Sequence, residues 1–228
     1  MRLEGKRILV TGAHGRLGKE LVPLLRKEGA RVMAPSRKEW DVSAFPCGLA
    51  MPEDPDVIIH AAAYTNVAGS EVEKDECRLT NVDGTLSVAK LAKQTKAKLV
   101  YISSDYVDVH PMGFYAFTKK AGESFVDKNK GLIIRTSFKP RGLWGENKLE
   151  GVFHPVYTNA DWVDVIASKV VDVVCSDLTG MVNVGTSPKT LKDLAIQEYP
   201  EVEEIPVEEA DELLGYIYPR DTTMELTI

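Results

Sequence analysis

Arg7-Ile8-Leu9-Val10-Thr11-Gly12-Ala13-His14-Gly15-Arg16-Leu17-Gly18 is the stretch from which the rest of the chain can be read. Its first five residues form a short, largely apolar run, the pattern of a buried strand. Leu17, Leu21, Leu24 and Leu25 then recur at helical spacing, and Gly29 supplies a stop. Gly12, Gly15 and Gly18 punctuate the turn between them. The first lets the chain turn sharply, the second lets backbone approach a phosphate, and the third lets helix and strand pack closely. The helix start adds unpaired N–H groups and the positive end of its dipole. The turn is therefore expected to take the pyrophosphate of a dinucleotide, with His14, Arg16 and Leu17 beside it.

Outward from this turn, the chain alternates strands and helices. Strands are expected at Val32-Met33-Ala34, at Val57–Ala61 behind the punctuators Pro52 and Pro55, at Leu99–Ser103 and at Leu132-Ile133-Ile134. A long helix is expected from Glu73 to Lys96, with Val82, Leu86, Ala89 and Ala92 near its inner face, and another from Tyr115 to Asp127. The order implies right-handed βαβ units and an α/β, doubly wound parallel sheet of the Rossmann type. Both sheet faces should be covered, because the strands are apolar throughout rather than alternating. After Arg135 the pattern loosens. Lys139–Gly142 and Glu146-Asn147-Lys148 read as loops, Trp162–Cys175 as a helix, Met181–Gly185 as a strand, Leu191–Tyr199 as a short helix, and the acidic run Glu201–Glu212 as a solvated face. The chain thus divides into a dinucleotide-binding core over 1–138 and a small substrate lobe over 139–228, intertwined with the end of the core.

With 228 residues, 44% hydrophobic and 27% charged, the chain can bury a sizeable core. The net charge of -6 without a basic tract argues against a nucleic-acid partner. Cys47, Cys77 and Cys175 are far apart and form no CxxC pair, so reduced, buried thiols are expected rather than disulfides or a metal site. No segment is apolar enough to span a membrane, and the run Met1–Lys6 lacks a signal peptide's apolar stretch. A cytoplasmic setting without membrane contact is expected.

The end of the second strand should meet the adenosine ribose, where an acid favours NAD and an arginine the 2′-phosphate of NADP. The sequence offers Ser36 and Arg37, with no acid until Glu39, so NADP(H) is expected over NAD(H). Asp41 and Val42 fall where adenine contacts belong. Ala61, Ala62 and Ala63 follow the third strand and let backbone approach the cofactor, while Tyr64, Thr65 and Tyr106 are candidate walls of the nicotinamide or substrate site. Tyr115 and Lys119 lie one helical turn apart on one face. Ser103-Ser104-Asp105-Tyr106-Val107 closes the fourth strand, at the sheet edge where ligands bind.

The glycine turn, His60-Ala61-Ala62-Ala63-Tyr64-Thr65, Asn81-Val82-Asp83-Gly84-Thr85, Ser103–Val107 and the YxxxK spacing follow the order of the extended short-chain dehydrogenase/reductases. Within them the sequence resembles the sugar-nucleotide-binding branch of dTDP-4-dehydrorhamnose reductase, which Arg135-Thr136-Ser137 and Pro219-Arg220-Asp221-Thr222 also echo. The resemblance implies an NAD(P)-dependent oxidoreductase that reduces a keto group on a nucleotide-linked deoxysugar. Ser104 would bond the substrate carbonyl, with Asp105 and Tyr106 nearby, and Tyr115 would donate the proton. Lys119 would hold the nicotinamide ribose and lower the tyrosine pKa, and Asn81 would support the lysine through a water. Lowering a phenol by roughly three units takes about 4 kcal/mol, which a nearby ammonium in a partly dry cleft can supply. A homodimer is a further expectation of the family. Two features depart from the branch: the interval between Asp105 and Tyr115 is short, and so is the C-terminal lobe. Arg141, Trp144 and Trp162 are candidates for nucleotide contacts in that lobe. An epimerase or dehydratase with tightly held cofactor, or a catalytically silent dinucleotide-binding subunit, remain alternative readings at this level.

Overall fold

The apolar runs expected to be strands come together in one parallel sheet. In the computed structural model, which describes residues 2–44, 53–109, 111–144 and 151–227, the main sheet holds β1 (Arg7–Thr11), β2 (Arg31–Met33), β3 (Val57–His60), β4 (Lys98–Ile102), β5 (Leu132–Arg135) and β10 (Gly180–Asn183). Their spatial order is β2-β1-β3-β4-β5-β10, parallel throughout. The chain leaves β1 toward one edge and returns through β3 toward the other. That reversal opens a crevice beyond the strand C-termini.

Side-chain alternation explains why the strands carry so few polar residues. Ile8, Val10, Val57, Ile59, Val100, Leu132 and Ile134 face α1 (Arg16–Lys27) and α5 (Val163–Cys175) in one cluster. Leu9, Ile58, Leu99, Tyr101 and Ile133 face the other way, against Val88 and Ala92 of α3 (Gly84–Thr95) and against Trp40 and Val42. At the foot of the sheet the Arg7 guanidinium and backbone N–H both bind Asp56, which holds that carboxyl down to about 2 and fastens β1 to the start of β3. Among the described residues no helix is long and apolar enough to cross a membrane, and no group of three His, Cys, Asp or Glu could hold a metal ion. Cys77 is fully buried and Cys175 half-buried, and neither forms a disulfide. Cys47, Pro52 and the loop Glu146–Lys148 lie outside the described residues.

The helix expected over Glu73–Lys96 is present but broken in its middle. It runs as α2 (Lys74–Arg78), a π-helical turn at Leu79–Asp83, and α3. A π turn adds one residue to the helical circuit and so rotates the succeeding turns about the axis. The inner face is Cys77, Asn81, Thr85, Val88 and Ala92, and the expected Val82, Leu86 and Ala89 are only half-buried. The next helix, α4 (Phe114–Glu123), is shorter than the expected Tyr115–Asp127, because its end tightens into turns in which Phe125 and Val126 donate to Gly122 and Glu123.

Beyond Arg135 short strands pair off: β6 (Phe138–Lys139) with β9 (Asp161–Trp162), β7 (Gly151–His154) with β12 (Glu203–Pro206), and β8 (Tyr157–Thr158) with β11 (Lys189–Thr190). With α6 (Leu191–Ala195) and α7 (Val207–Leu214) they enclose a third cluster around Trp144, Trp162, Leu194 and Val207. The acidic run holds β12 and α7, with only Val207 and Ala210 fully buried. Between these parts α5 and β10 return to the main sheet, and Ile166, Val170 and Val182 join the α1 cluster.

Because Ile166 and Leu21 share one cluster, Ile166→Ala and Leu21→Ala should each cost about 2–5 kcal/mol and lower the same urea transition. Two separated transitions, with Ile166→Ala moving only one, would show that the segment after 139 folds as an independent unit.

Candidate active site

The turn at Gly12 fixes the mouth of the crevice. Gly12 adopts φ +68°, and a Cβ there would stand 2.6 Å from the Ala62 nitrogen. A Cβ on Gly18 would stand 2.2 Å from the Gly12 carbonyl oxygen. These two glycines thus let the β1 exit, the β3 exit and α1 meet backbone to backbone. At Gly15 a Cβ would meet only the Gly12 oxygen, at 3.1 Å, so this residue leaves space on the cleft side. Gly15 is also the N-cap of α1, with no side-chain cap and no acid in the first turn. The helix therefore presents uncompensated N–H groups to the cleft, an arrangement that fits a pyrophosphate.

The cleft has a volume of about 670 Å³ and runs over the C-terminal ends of β1, β3, β4 and β5. It brings together Gly12, His14, Gly15, Arg16, Leu17 and Gly18 of the turn, Arg37, Asp41 and Val42 after β2, Ala61, Ala62, Ala63 and Thr65 after β3, Ser104, Asp105 and Tyr106 after β4, and Tyr115 and Lys119 of α4. Three candidates do not line it. Ser36 turns its amide and hydroxyl onto Glu39, both at 2.7 Å, which draws that carboxylate into a local turn. The Tyr64 hydroxyl donates to Glu73. Asn81 lies beneath the cleft floor. Arg37 keeps its guanidinium at the mouth, 3.0 Å from Asp41 and largely exposed.

Below the floor runs a buried polar chain that periodicity does not reveal. The Thr85 hydroxyl spends its proton on the Asn81 carbonyl, 2.6 Å away. Its oxygen must then accept from His60 Nε2, at 3.0 Å, so His60 Nδ1 accepts from Thr11, at 2.7 Å. The Thr11 oxygen in turn accepts the Ala62 N–H. Burial holds His60 down to about 3, so the imidazole is neutral as this chain requires. Asn81, in the π turn, spends its side chain on both backbone groups of Tyr64, at 2.8 and 3.2 Å, and on Thr118 Oγ1, at 3.0 Å. It thereby holds the Ala61–Thr65 wall to α4.

The reacting end differs from expectation in its electrostatics. Ser104 Oγ donates to Asp105 Oδ1 at 3.1 Å and accepts from the Tyr106 amide at 3.2 Å. The Tyr106 ring stands edge-on to Tyr115, centroids 6.4 Å apart. Lys119, nearly buried, donates to the Ile102 carbonyl at 2.8 Å and lies 4.4 Å above the Tyr101 ring. Burial holds its amine down to about 7, with Glu123 pulling the other way. The Tyr115 phenol is raised, not lowered: burial pushes it up and Asp105 adds to this, against the pull of a Ser104 hydrogen bond. Lys119 is not among the groups that act on the phenol; its ammonium is turned to the Ile102 carbonyl and the Tyr101 ring. Asp105 is 4% exposed, with one carboxylate oxygen lacking any hydrogen bond. Burial pushes it up to about 6, against Thr222, Lys139, Ser104 and Ser137.

Of those opposing groups, Thr222, Lys139 and Ser137 come from segments to which the sequence assigned no site role. Thr136, Ser137, Phe138 and Lys139 line the cleft at the β5 exit, and Thr222 approaches from the C-terminal segment. The available signal was Arg135-Thr136-Ser137 and Pro219–Thr222 themselves. Arg141, Trp144 and Trp162 fall elsewhere. Trp144 and Trp162 are buried edge-to-face at 6.0 Å in the lobe, and Arg141 covers Trp162 while pairing with Asp164 and Glu198.

Comparison with known proteins agrees with this geometry. Residues 6–169 match the family model described as the RmlD substrate binding domain. Over 161 residues the chain is 30% identical to dTDP-4-dehydrorhamnose reductase of Mycobacterium tuberculosis strain H37Rv, covering 62% of this chain and 53% of that protein. It is 30% identical over 182 residues to dTDP-4-dehydrorhamnose reductase of Aggregatibacter actinomycetemcomitans, covering 72% and 61%. The chain thus spans a little over half the length of the M. tuberculosis relative. Among solved structures, dTDP-4-dehydrorhamnose reductase of Bacillus anthracis in complex with NADP superposes with a TM-score of 0.81 at 25% identity, covering 98% of this chain and 90% of that one.

The buried neutral His60 predicts an acid-labile fold. Its folded pKa lies far below the unfolded value of about 6.5, so between the two the unfolded chain binds the extra proton. Stability is then lost as pH falls from about 6.5 toward 3, by at most about 1.4 kcal/mol per pH unit. His60→Gln keeps a donor and an acceptor without the titration. The wild-type minus variant stability, from urea melts at each pH, should decline on acidification; a difference independent of pH would contradict the assignment.

Proposed function

Because the chain belongs to the RmlD substrate-binding-domain family, we propose that it is an NADP(H)-preferring reductase of a keto group on a nucleotide-linked deoxysugar. One observation carries the reading: the glycine turn and the Ser104, Tyr115 and Lys119 side chains line a single cleft. The uncapped start of α1 and the Cβ-free backbone at Gly12 and Gly18 suit the dinucleotide pyrophosphate. Arg37 at the mouth, paired with Asp41, suits a 2′-phosphate, and Glu39 is held by Ser36.

When bound, the reduced nicotinamide supplies the hydride. Ser104 holds the substrate carbonyl oxygen, and Tyr115 delivers a proton to that oxygen. Burial, by raising the phenol, keeps Tyr115 protonated at neutral pH, which is the form a reduction consumes. Lys119 holds the ribose hydroxyls from the floor, and Ala61–Ala63 let backbone lie against the cofactor. Asp105, which lines the cleft beside Ser104, takes a hydroxyl of the sugar together with Tyr106 and Thr65. Residues 139–228 serve as the substrate lobe, sharing α5 and β10 with the core. Convergence of all three reactive side chains in one cleft supports an enzyme over a silent binding subunit. A homodimer belongs to the same reading, and sedimentation would test it.

Two measurements decide. With a panel of 4-keto-6-deoxy nucleotide sugars, the protein should oxidise NADPH, followed by loss of its absorbance, and Tyr115→Phe should reduce kcat by about 10²- to 10⁴-fold. NADPH binding without oxidation of any panel member by wild type would sink the reductase reading. Arg37→Ala should weaken NADPH binding about tenfold, as loss of one charge-assisted contact, while leaving NADH affinity unchanged. Equal effects on both would remove Arg37 from 2′-phosphate recognition.

A further inference from the structure

Beneath the cleft lies a cluster of charges that the reductase reading does not use. Glu123 and Arg135 are 5% and 6% exposed, and neither lines the cleft. Arg135 grips both carboxylate oxygens of Glu123, Nε and Nη2 each at 2.8 Å, and Ser103 Oγ donates to Oε1 at 2.7 Å. Arg135 also pairs with Asp108, which receives Lys120 at 2.8 Å. A buried ion pair carries a desolvation penalty that apolar residues would avoid, so its presence asks for a role beyond stability. Glu123 stands one helical turn beyond Lys119 on α4. From Lys119 outward, formal charge alternates in sign through Glu123, Arg135, Asp108 and Lys120.

The surroundings of Lys119 single out Glu123. From β3 it faces His60, which burial keeps neutral; from α2, the Cys77 thiol; from β4, the Tyr101 ring and the Ile102 carbonyl. Among the described residues that act on its charge, Glu123 is the one carboxylate. Arg135 and Ser103 fix that carboxylate from the strand side, so it cannot swing to Lys119 and neutralise it by contact. Its effect is that of a stationary negative charge behind the amine.

We propose that Glu123 is a positioning residue of this site, a counter-charge fixed by Arg135 and Ser103 that keeps the buried Lys119 protonated while its ammonium faces the cofactor. The inference rests on the reductase reading, in which Lys119 holds the ribose as a cation. Burial alone drives Lys119 toward the neutral amine, and Glu123 opposes it.

The test is equilibrium NADPH binding to the full chain, followed by fluorescence across pH. Wild-type affinity should fall as pH rises and Lys119 deprotonates, and Lys119→Met should remove that fall. In Glu123→Gln the midpoint should move down by about one pH unit. Glu123→Gln/Arg135→Met replaces the ion pair with neutral side chains and leaves no unpaired buried cation. Its midpoint should move in the same direction, and it carries the test if the single variant does not fold. An unmoved midpoint in a folded variant lacking Glu123 overturns the proposal. Wild type that binds no NADPH at any pH overturns the reductase reading, and the counter-charge role with it.

Discussion

The cleft depends on one close approach: the backbone of Gly12 against the backbone of Ala61 and Ala62. Two parallel strands that part at a topological switch leave a crevice, but its depth is set by how near the exits come. A methyl group on Gly12 would meet three backbone atoms of this wall inside 3 Å, none of which can rotate away. The left-handed φ there is tolerated only by glycine without strain, so sterics and conformation select the same residue. Helix α1 then points its uncapped end across the gap. Binding geometry at this end is a property of backbone, and side chains serve mainly to stay out of the way.

The reacting end is built by the opposite means. Its backbone is ordinary strand and helix, and polar side chains in low dielectric hold it together. The chain from the Ala62 N–H through Thr11, His60 and Thr85 to the Asn81 carbonyl has a single consistent direction of donation. Reversing any one bond would leave a buried donor or acceptor without a partner, at a cost of about 1–3 kcal/mol. A network with one solution specifies one arrangement. It ties the phosphate turn to the π turn, and Asn81 ties the π turn to Tyr64 and to α4. The two ends of the cleft are therefore one rigid unit, although their residues are separated widely in sequence.

This division explains what could be read from the sequence. The strands, α1 and the glycine turn were legible because apolar periodicity and glycine spacing are local signals. Ser104 at a strand end and Tyr115 and Lys119 one helical turn apart were singled out from order and resemblance, and one cleft brings them together. The inner face of the helix spanning α2 and α3 was misread because its buried positions include the polar Asn81 and Thr85, which give no apolar signal. The electrostatics of Tyr115 were not legible, because burial is the largest influence on its phenol and burial is set by tertiary packing. Tyr64 and Ser36 were placed in the cleft by sequence proximity, while Glu73 and Glu39 take their side chains elsewhere. The lobe was least legible, since β7 pairs with β12 some fifty positions later and its short strands carry no period of their own.

The same long-range pairing bears on the short interval between Asp105 and Tyr115. A longer loop there would cover Tyr106 and Asp105 from within the core. In this chain the C-terminal segment stands over them instead. Tyr218 and Tyr216 act on the Tyr106 phenol, and the Thr222 hydroxyl acts on the Asp105 carboxyl. That segment is held in place by bonds between Tyr157 and residues 220 and 222, and between Asn159 and Met224. Burial of the substrate end is thus supplied by the end of the chain, anchored on the lobe. Core and lobe share α5 and β10, so the anchor is stiff. The C-terminal segment thus stands over a buried carboxyl, Asp105, that lies beside Ser104.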